Sequence, residues 1–256
     1  MYSAAFSQEL QRTTSNFGFL EQNLPDFLKL EAQMSRHFLE RSNIKWREGN
    51  IKSSFIYLLI DPRMSQNLPE NYKTMEKAEV WSKFLASIFY VGKGKKSRPY
   101  SHLYDAMKIF SMENNQIAER LENKRNQIIE KRVIYSNAAC KSEATCGKFK
   151  AISKPINNQE SKKLQKIVEI WRSQLGVVCL HTFNNIMPVE AFTREAAIIE
   201  AMGTASLTNL KKGEFYGAAL SFSMRQKRQM GVGLLYRAMN VYLHEGESQL
   251  TPFDLI

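Results

Sequence analysis

The chain predicts a mixed α/β fold in the α+β sense, a small and mainly antiparallel sheet flanked by helices. Three observations carry this. Short β-branched and aromatic runs recur at 51–60 (IKSSFIYLLI), Ile88–Val91 and Val177–Phe183 (VVCLHTF), and such runs fit buried strands. Between and around them lie segments with apolar residues at helical spacing, above all EAFTREAAIIEAMG and GVGLLYRAMNVYLHEG. Hydrophobic residues make up 43% of the 256 positions, enough for a packed core.

The elements follow in order. Residues 1–50 read as a helical N-terminal extension, with Phe27, Leu28, Leu30, Met34, Phe38 and Leu39 near helical spacing and Pro25 as a helix start. The first strand, 51–60, stops at Asp61-Pro62-Arg63. A polar stretch leads to a helix around EKAEVWSKFL, then to the second strand, which Gly92 and Gly94 are expected to break into a tight turn. Pro99 fits the first turn of a helix through His102, Tyr104 and Met107. From about 108 to 163 the chain is charged, then polar and nearly free of large apolar residues, and reads as a variable insertion. LQKIVEIW forms the next helix, VVCLHTF a strand, and EAFTREAAIIEAM a strong helix ended by Gly203. The central domain is expected to span 51–222, with the insertion inside it, and a C-terminal helical extension 223–256. No internal repeat is present, which excludes a solenoid.

Charge narrows the partners. Thirty-six Lys and Arg face 25 Asp and Glu, a formal net charge of +11, which favours an acidic partner, most often nucleic acid. The three cysteines, Cys140, Cys146 and Cys179, are too few and odd for a disulfide scaffold and have no zinc-ligand spacing. The N-terminal segment lacks the pattern of a signal peptide, and no apolar run reaches membrane-span length. The expectation is a soluble intracellular protein of nucleus or cytoplasm, with no membrane partner.

Certain side chains stand out. Tyr57 and Tyr90 lie in or at the ends of strands, where a lone tyrosine is ordinarily a core or edge aromatic. After Tyr90, however, Gly92, Lys93, Gly94, Lys95, Lys96 and Arg98 place two glycines and four cations in one strand-to-helix connection. Backbone N–H groups at a helix start, with Lys and Arg beside them, bind phosphate. His102 falls on the same helical face as Arg98. Glu195 sits among apolar helix positions, where a carboxylate is either ion-paired or, facing a basic cleft, able to hold a hard divalent cation.

Taken together, FIY at Tyr57, YVG at Tyr90 to Gly92, Arg98, His102, Glu195 and Asn209 resemble the GIY-YIG endonuclease superfamily. Phe55 stands for the first glycine of its pattern and Val91 for isoleucine, while Arg98 lies closer to Tyr90 than in many members. The strings YLLIDPR, IFYVGKG, RPYSHLYDA, EAFTREAAIIEAMG, LTNLKKGEFYG and GLLYRAMNVYLHEGESQLTPFDL are similar to one branch, the nucleases that carry ankyrin repeats and a LEM domain ahead of a C-terminal nuclease domain. Neither module is expected within these 256 residues.

The resemblance implies metal-dependent, structure-selective hydrolysis of branched DNA, junctions or flaps, in processing of DNA linkages, repair or chromosome segregation. It implies Tyr57 as the group that takes, or helps take, a proton from water, Tyr90 as the positioner of water or phosphate, and Arg98 as the neutraliser of phosphoryl charge. His102 would orient Tyr57 or touch the phosphate. Glu195 would hold one Mg²⁺ or Mn²⁺. Gly92, Lys93, Lys95, Lys96 and Asn209 would serve substrate binding, Asn209 more as a brace than a reactant. A sequence-specific nuclease and a catalytically inactive DNA-binding module are the alternatives.

Overall fold

The computed structural model describes residues 5–41, 43–112 and 161–255. The expected insertion therefore lies outside the described residues except at its two ends, as do Cys140 and Cys146.

Two N-terminal helices open the chain. Helix α1 (Gln8–Ser15) starts where the Ser7 hydroxyl accepts the Leu10 N–H at 3.3 Å. Helix α2 (Phe17–Glu40) starts where the Asn16 side chain accepts the Phe19 N–H at 3.1 Å, a standard N-cap. Pro25 lies inside α2 rather than at its start, since the Asn16 cap sets the boundary upstream. Leu39, expected on the apolar face, is exposed, while Leu20, Phe27, Met34 and Phe38 are buried.

Strand β1 (Ser54–Ile60) ends at Asp61, whose carboxylate accepts the Arg63 N–H and caps a single turn at Pro62–Ser65. Helix α3 (Lys77–Ser87) feeds strand β2 (Ile88–Lys95). Helix α4 begins at residue 98 and is described to 112, and α5 (Ser161–Arg172) precedes strand β3 (Val177–Ile186). Helix α6 (Pro188–Met202) ends at Gly203, as the sequence predicts, with φ of 76°. Helix α7 (Met224–Glu245) starts with a capping box between Ser223 and Gln226, and a short strand β4 (Gln249–Leu250), not foreseen in the sequence, follows.

The sheet order is β2-β1-β3-β4, and each neighbouring pair is antiparallel. Alternation along β1 explains its nearly continuous apolar run. Ile56, Leu58 and Ile60 enter one core with α1, α2, α3, α6 and α7. Tyr57 and Leu59 face the other way, into a smaller core with Leu103 of α4 and Ile167, Ile170 and Trp171 of α5. Helices cover both faces, so successive residues are buried on opposite sides. Each fully buried Ile or Leu contributes roughly 1.5–3 kcal/mol.

One expectation is corrected in β2. The strand does not break at Gly92 and Gly94 but runs through both to Lys95. Glycine is needed there for clearance. A Cβ on Gly92 would lie 2.5 Å from the Tyr57 hydroxyl oxygen, and one on Gly94 would lie 2.7 Å from Arg98 Cβ. The two glycines make recesses in the strand that receive two site side chains.

Candidate active site

Tyr57 lies at the middle of β1, opposite Gly92 of β2 and His181 of β3. Its ring covers the Gly92 recess and is 1% exposed. Its hydroxyl is 2.9 Å from His102 Nε2. Tyr90 stands next to it, with ring centroids 6.0 Å apart, and meets the His102 ring edge-on at 5.5 Å. Because strand β2 delivers Tyr90 and the first turns of α4 deliver Arg98 and His102, the basic connection between β2 and α4 folds over its own strand.

A cleft of about 520 Å³ opens in front of these groups. Tyr90, Lys93, Arg98, His102, Glu195 and Asn209 all line it, so residues far apart in sequence converge on one space. The other predicted residues sit differently. Tyr57 lies behind Tyr90, outside the lining. Gly92 is buried beneath Tyr57. Lys95 lines an adjoining recess shared with Lys93 and Arg98, and its ammonium is 3.6 Å from Glu48. Lys96 occupies a left-handed turn, φ 50°, at the exposed end of the connection. The basic residues 225–228 (RQKR) at the start of α7 are not among the residues lining the cleft, and Arg228 lies 3.7 Å from Glu9 of α1.

Glu195 projects from α6, is 8% exposed, and receives a hydrogen bond from Lys93 Nζ at 2.6 Å. Burial raises its carboxyl above the usual range, and the Lys93 ammonium opposes that rise. The Lys93 ammonium also stacks 4.0 Å over the Phe192 ring. Asn209 spends both ends of its amide on one residue: Oδ1 accepts the Val91 N–H at 3.0 Å and Nδ2 donates to the Val91 carbonyl at 2.7 Å. It therefore ties the loop after α6 to β2 between Tyr90 and Gly92.

The titratable groups around the tyrosines are strongly perturbed. Burial first, and then Tyr90, pushes the Tyr57 hydroxyl well above its ordinary value, while Arg98 pulls it down. Tyr90 is also raised, by burial and by Glu195. His102 is lowered to about 4 by burial, Lys163 and Arg98, so its ring is neutral near pH 7.

Two sets of participants were not assigned from sequence. Lys163, at the start of α5, lines the cleft with its ammonium 3.0 Å from His102 Nδ1. Its position at the edge of a polar stretch carried no signal. Behind Glu195, the buried Arg194 guanidinium pairs with Glu190 at 2.7 Å and with Glu31 of α2, and donates to Ser35 at 2.9 Å. Arg237 of α7 joins it on Glu31. This network anchors the helix that carries Glu195 to α2 and α7.

The donor set bears on metal binding. Among the described residues no cluster of three or more His, Cys, Asp or Glu gathers as a metal cage. Glu195 is a deeply placed carboxylate on the cleft wall, while Glu214 at the rim is bound to Arg47 and Tyr216. One carboxylate with open space in front fits a hard divalent cation that keeps several waters, and does not fit a structural zinc site.

The profile of the LEM-3-like GIY-YIG domain family matches residues 54–145 and 141–256. Ankyrin repeat and LEM domain-containing protein 1 from human is 36% identical over 233 residues, covering 91% of this chain and 31% of its own length. The mouse protein of that name is 31% identical over 257 residues, covering 97% of this chain and 40% of its own. A Caenorhabditis elegans homolog is 32% identical over 203 residues, covering 79% and 22%. The chain thus spans 22% to 40% of the curated relatives it matches. No solved structure matches it. Among the described residues, no helix is long and apolar enough to cross a membrane.

Proposed function

Because the chain belongs to the LEM-3-like GIY-YIG family of nuclease domains, we propose that its cleft hydrolyses phosphodiesters of branched DNA, with junctions and flaps preferred over linear duplex. The convergence of Tyr90, Arg98, His102 and Glu195 on one cleft carries this reading. In it, water attacks phosphorus, the bond to the 3′ oxygen breaks, and the departing oxygen takes a proton from solvent.

Arg98 neutralises charge that builds on the phosphoryl oxygens, as a preorganised donor at the cleft wall. Tyr90 positions the water or the phosphate. Tyr57, behind it, takes or helps take the proton of the water. Burial keeps Tyr57 protonated in the free protein, so before it can accept a proton from water it must first give up its own phenolic proton to solvent, and nearby positive charge is required for this step. Arg98 supplies part of it, and His102 holds the hydroxyl in place. Glu195 is the residue that would hold Mg²⁺ or Mn²⁺, whose chemistry is to stabilise charge on the leaving 3′ oxygen. Lys95 and Lys96, with Lys211 on the cleft wall, suit backbone phosphates, which set affinity and salt sensitivity rather than base sequence. Such an activity serves the removal of DNA linkages in repair or chromosome segregation.

The test compares cleavage of a labelled four-way junction, a flap and a linear duplex of matched sequence, with Mg²⁺ or Mn²⁺. Faster cutting of junction and flap supports the proposal. Equal cutting of all three removes the structural preference. Tight binding without cutting favours a catalytically silent DNA-binding module.

A further inference from the structure

The carboxylate suited to a divalent cation is already engaged by a cation of the protein itself. Lys93 Nζ donates to Glu195 Oε2 at 2.6 Å, and the two side chains are 26% and 11% exposed. The same ammonium lies 4.0 Å from the centre of the Phe192 ring. Lys93 comes from β2 and Glu195 from α6, so the contact joins sheet to helix at the cleft wall.

The ion pair behind it is built differently. Arg194 is held by Glu190, Glu31 and Ser35 together, and its side chain is 6% exposed. Lys93 has one ion-pair partner among the described residues, and its ammonium rides on a flexible four-carbon stem. It borders two open spaces, the cleft and the adjoining recess, in company with Arg98 and Phe192. The first pair is locked by several partners, whereas the second has one bond to break and room to move.

A carboxylate that holds a divalent cation cannot also keep this ammonium without setting two positive charges within a few ångströms, where solvent screens them poorly. A phosphate in the cleft, in turn, offers the ammonium another anionic partner. We infer that Lys93 and the divalent cation exchange on Glu195. Lys93 neutralises the carboxylate in the free protein, releases it when the cation binds, and turns its ammonium to a phosphate of the DNA strand. Each event frees the group that the other needs, so metal and DNA strengthen one another's binding. The DNA half rests on the nuclease reading, while the exchange itself is measurable without DNA.

The experiment is Mn²⁺ binding to the whole chain without DNA, followed by electron paramagnetic resonance of the free ion. Lys93→Met is expected to bind Mn²⁺ about tenfold or more tighter than wild type. Lys93→Arg, which keeps a cation, should stay close to wild-type affinity. So should Lys212→Met, which removes a cation of the same cleft that pairs with Glu200 instead. Glu195→Gln should lose the site. The sign separates exchange from packing, because a merely structural lysine would loosen the site when removed. In a crystal structure of the Mn²⁺-loaded wild type, Lys93 Nζ should lie more than about 4 Å from Glu195 Oε2, beyond ion-pair range.

Equal affinity in wild type and Lys93→Met overturns the exchange, and so does Lys93 still seated on Glu195 with Mn²⁺ in place. Equal tightening in Lys212→Met overturns it too, since general charge would then account for the effect. Mn²⁺ binding that survives Glu195→Gln removes Glu195 as the metal residue, and the exchange with it. A protein that shows the exchange yet cuts no DNA loses the nuclease reading alone.

Discussion

Replacing Gly92 with alanine puts the packing of the two site strands under direct test. The added methyl would lie 2.5 Å from the Tyr57 hydroxyl oxygen and 2.7 Å from its Cε1. Ordinary contact begins at 3.4 Å, so the ring or the strand must yield by about 1 Å. Tyr57 has little room to retreat, since its face opposite β2 meets the close-packed cluster of Leu103, Ile167 and Trp171. Overpacking of this kind costs about 1–3 kcal/mol. Pulling the hydroxyl from His102 leaves a buried polar group unsatisfied, at about 1–3 kcal/mol more. Alanine's reduction of unfolded-state entropy returns only about 0.4–1 kcal/mol. The net destabilisation is therefore about 2–5 kcal/mol, a fall in Tm of roughly 5–15 °C for a chain of this size. Thermal and urea unfolding measure it, and a double-mutant cycle isolates the cause. In a Tyr57→Val background the methyl has space, and Gly92→Ala should then cost under about 1 kcal/mol. A Gly92→Ala protein as stable as wild type, or an equal penalty in both backgrounds, would refute the clearance argument.

Other consequences are as specific. Glu31→Ala leaves Arg194 with Glu190 and Ser35 and removes the ion-pair partner of Arg237, which should destabilise by about 3 kcal/mol in urea unfolding and lower cleavage through misplacement of Glu195. His102 is held neutral, its value depressed from 6.5 to about 4. Its contribution to stability is thus present above pH 6.5 and lost as pH falls toward 4, by at most about 3 kcal/mol. His102→Asn should flatten that part of the stability–pH curve relative to wild type. Asn209→Ala removes both amide bonds to Val91 and should cost about 1–3 kcal/mol, with junction binding nearly intact. Lys93→Met leaves the buried Glu195 carboxylate without its cation, and added Mg²⁺ should raise the Tm of this variant more than that of wild type.

Much of the fold was legible because its signals are local. The β-branched and aromatic run at Ser54–Ile60 has a single comfortable home, a strand covered on both faces. Gly203 ends α6 where a positive φ requires it. Pro25 and the β2 glycines misled for a shared reason. Each is a poor former of the element it occupies, and a neighbour distant in sequence or a capping side chain overrode the propensity. Nothing near Gly92 says that a tyrosine from another strand will fill the missing side chain.

The site divides the same way. Tyr90, Arg98, His102, Glu195 and Asn209 were visible as residue types in a recurring pattern, and they do converge. The ordering of the two tyrosines, one lining the cleft and one behind it, depends on the sheet register that sets Tyr57 against Gly92. Lys163 and the Glu31–Arg194 pair were not visible at all. A charged residue on an amphipathic helix reads as solvated until the partner that buries it is known.

The most direct test of the central claim, that this cleft is where DNA is cut, is junction cleavage by wild type and Glu195→Gln with junction binding measured alongside. The account predicts that both proteins bind with similar affinity, and that only wild type cuts, with Mg²⁺ or Mn²⁺ present. Glu195→Gln cutting at the wild-type rate would contradict it.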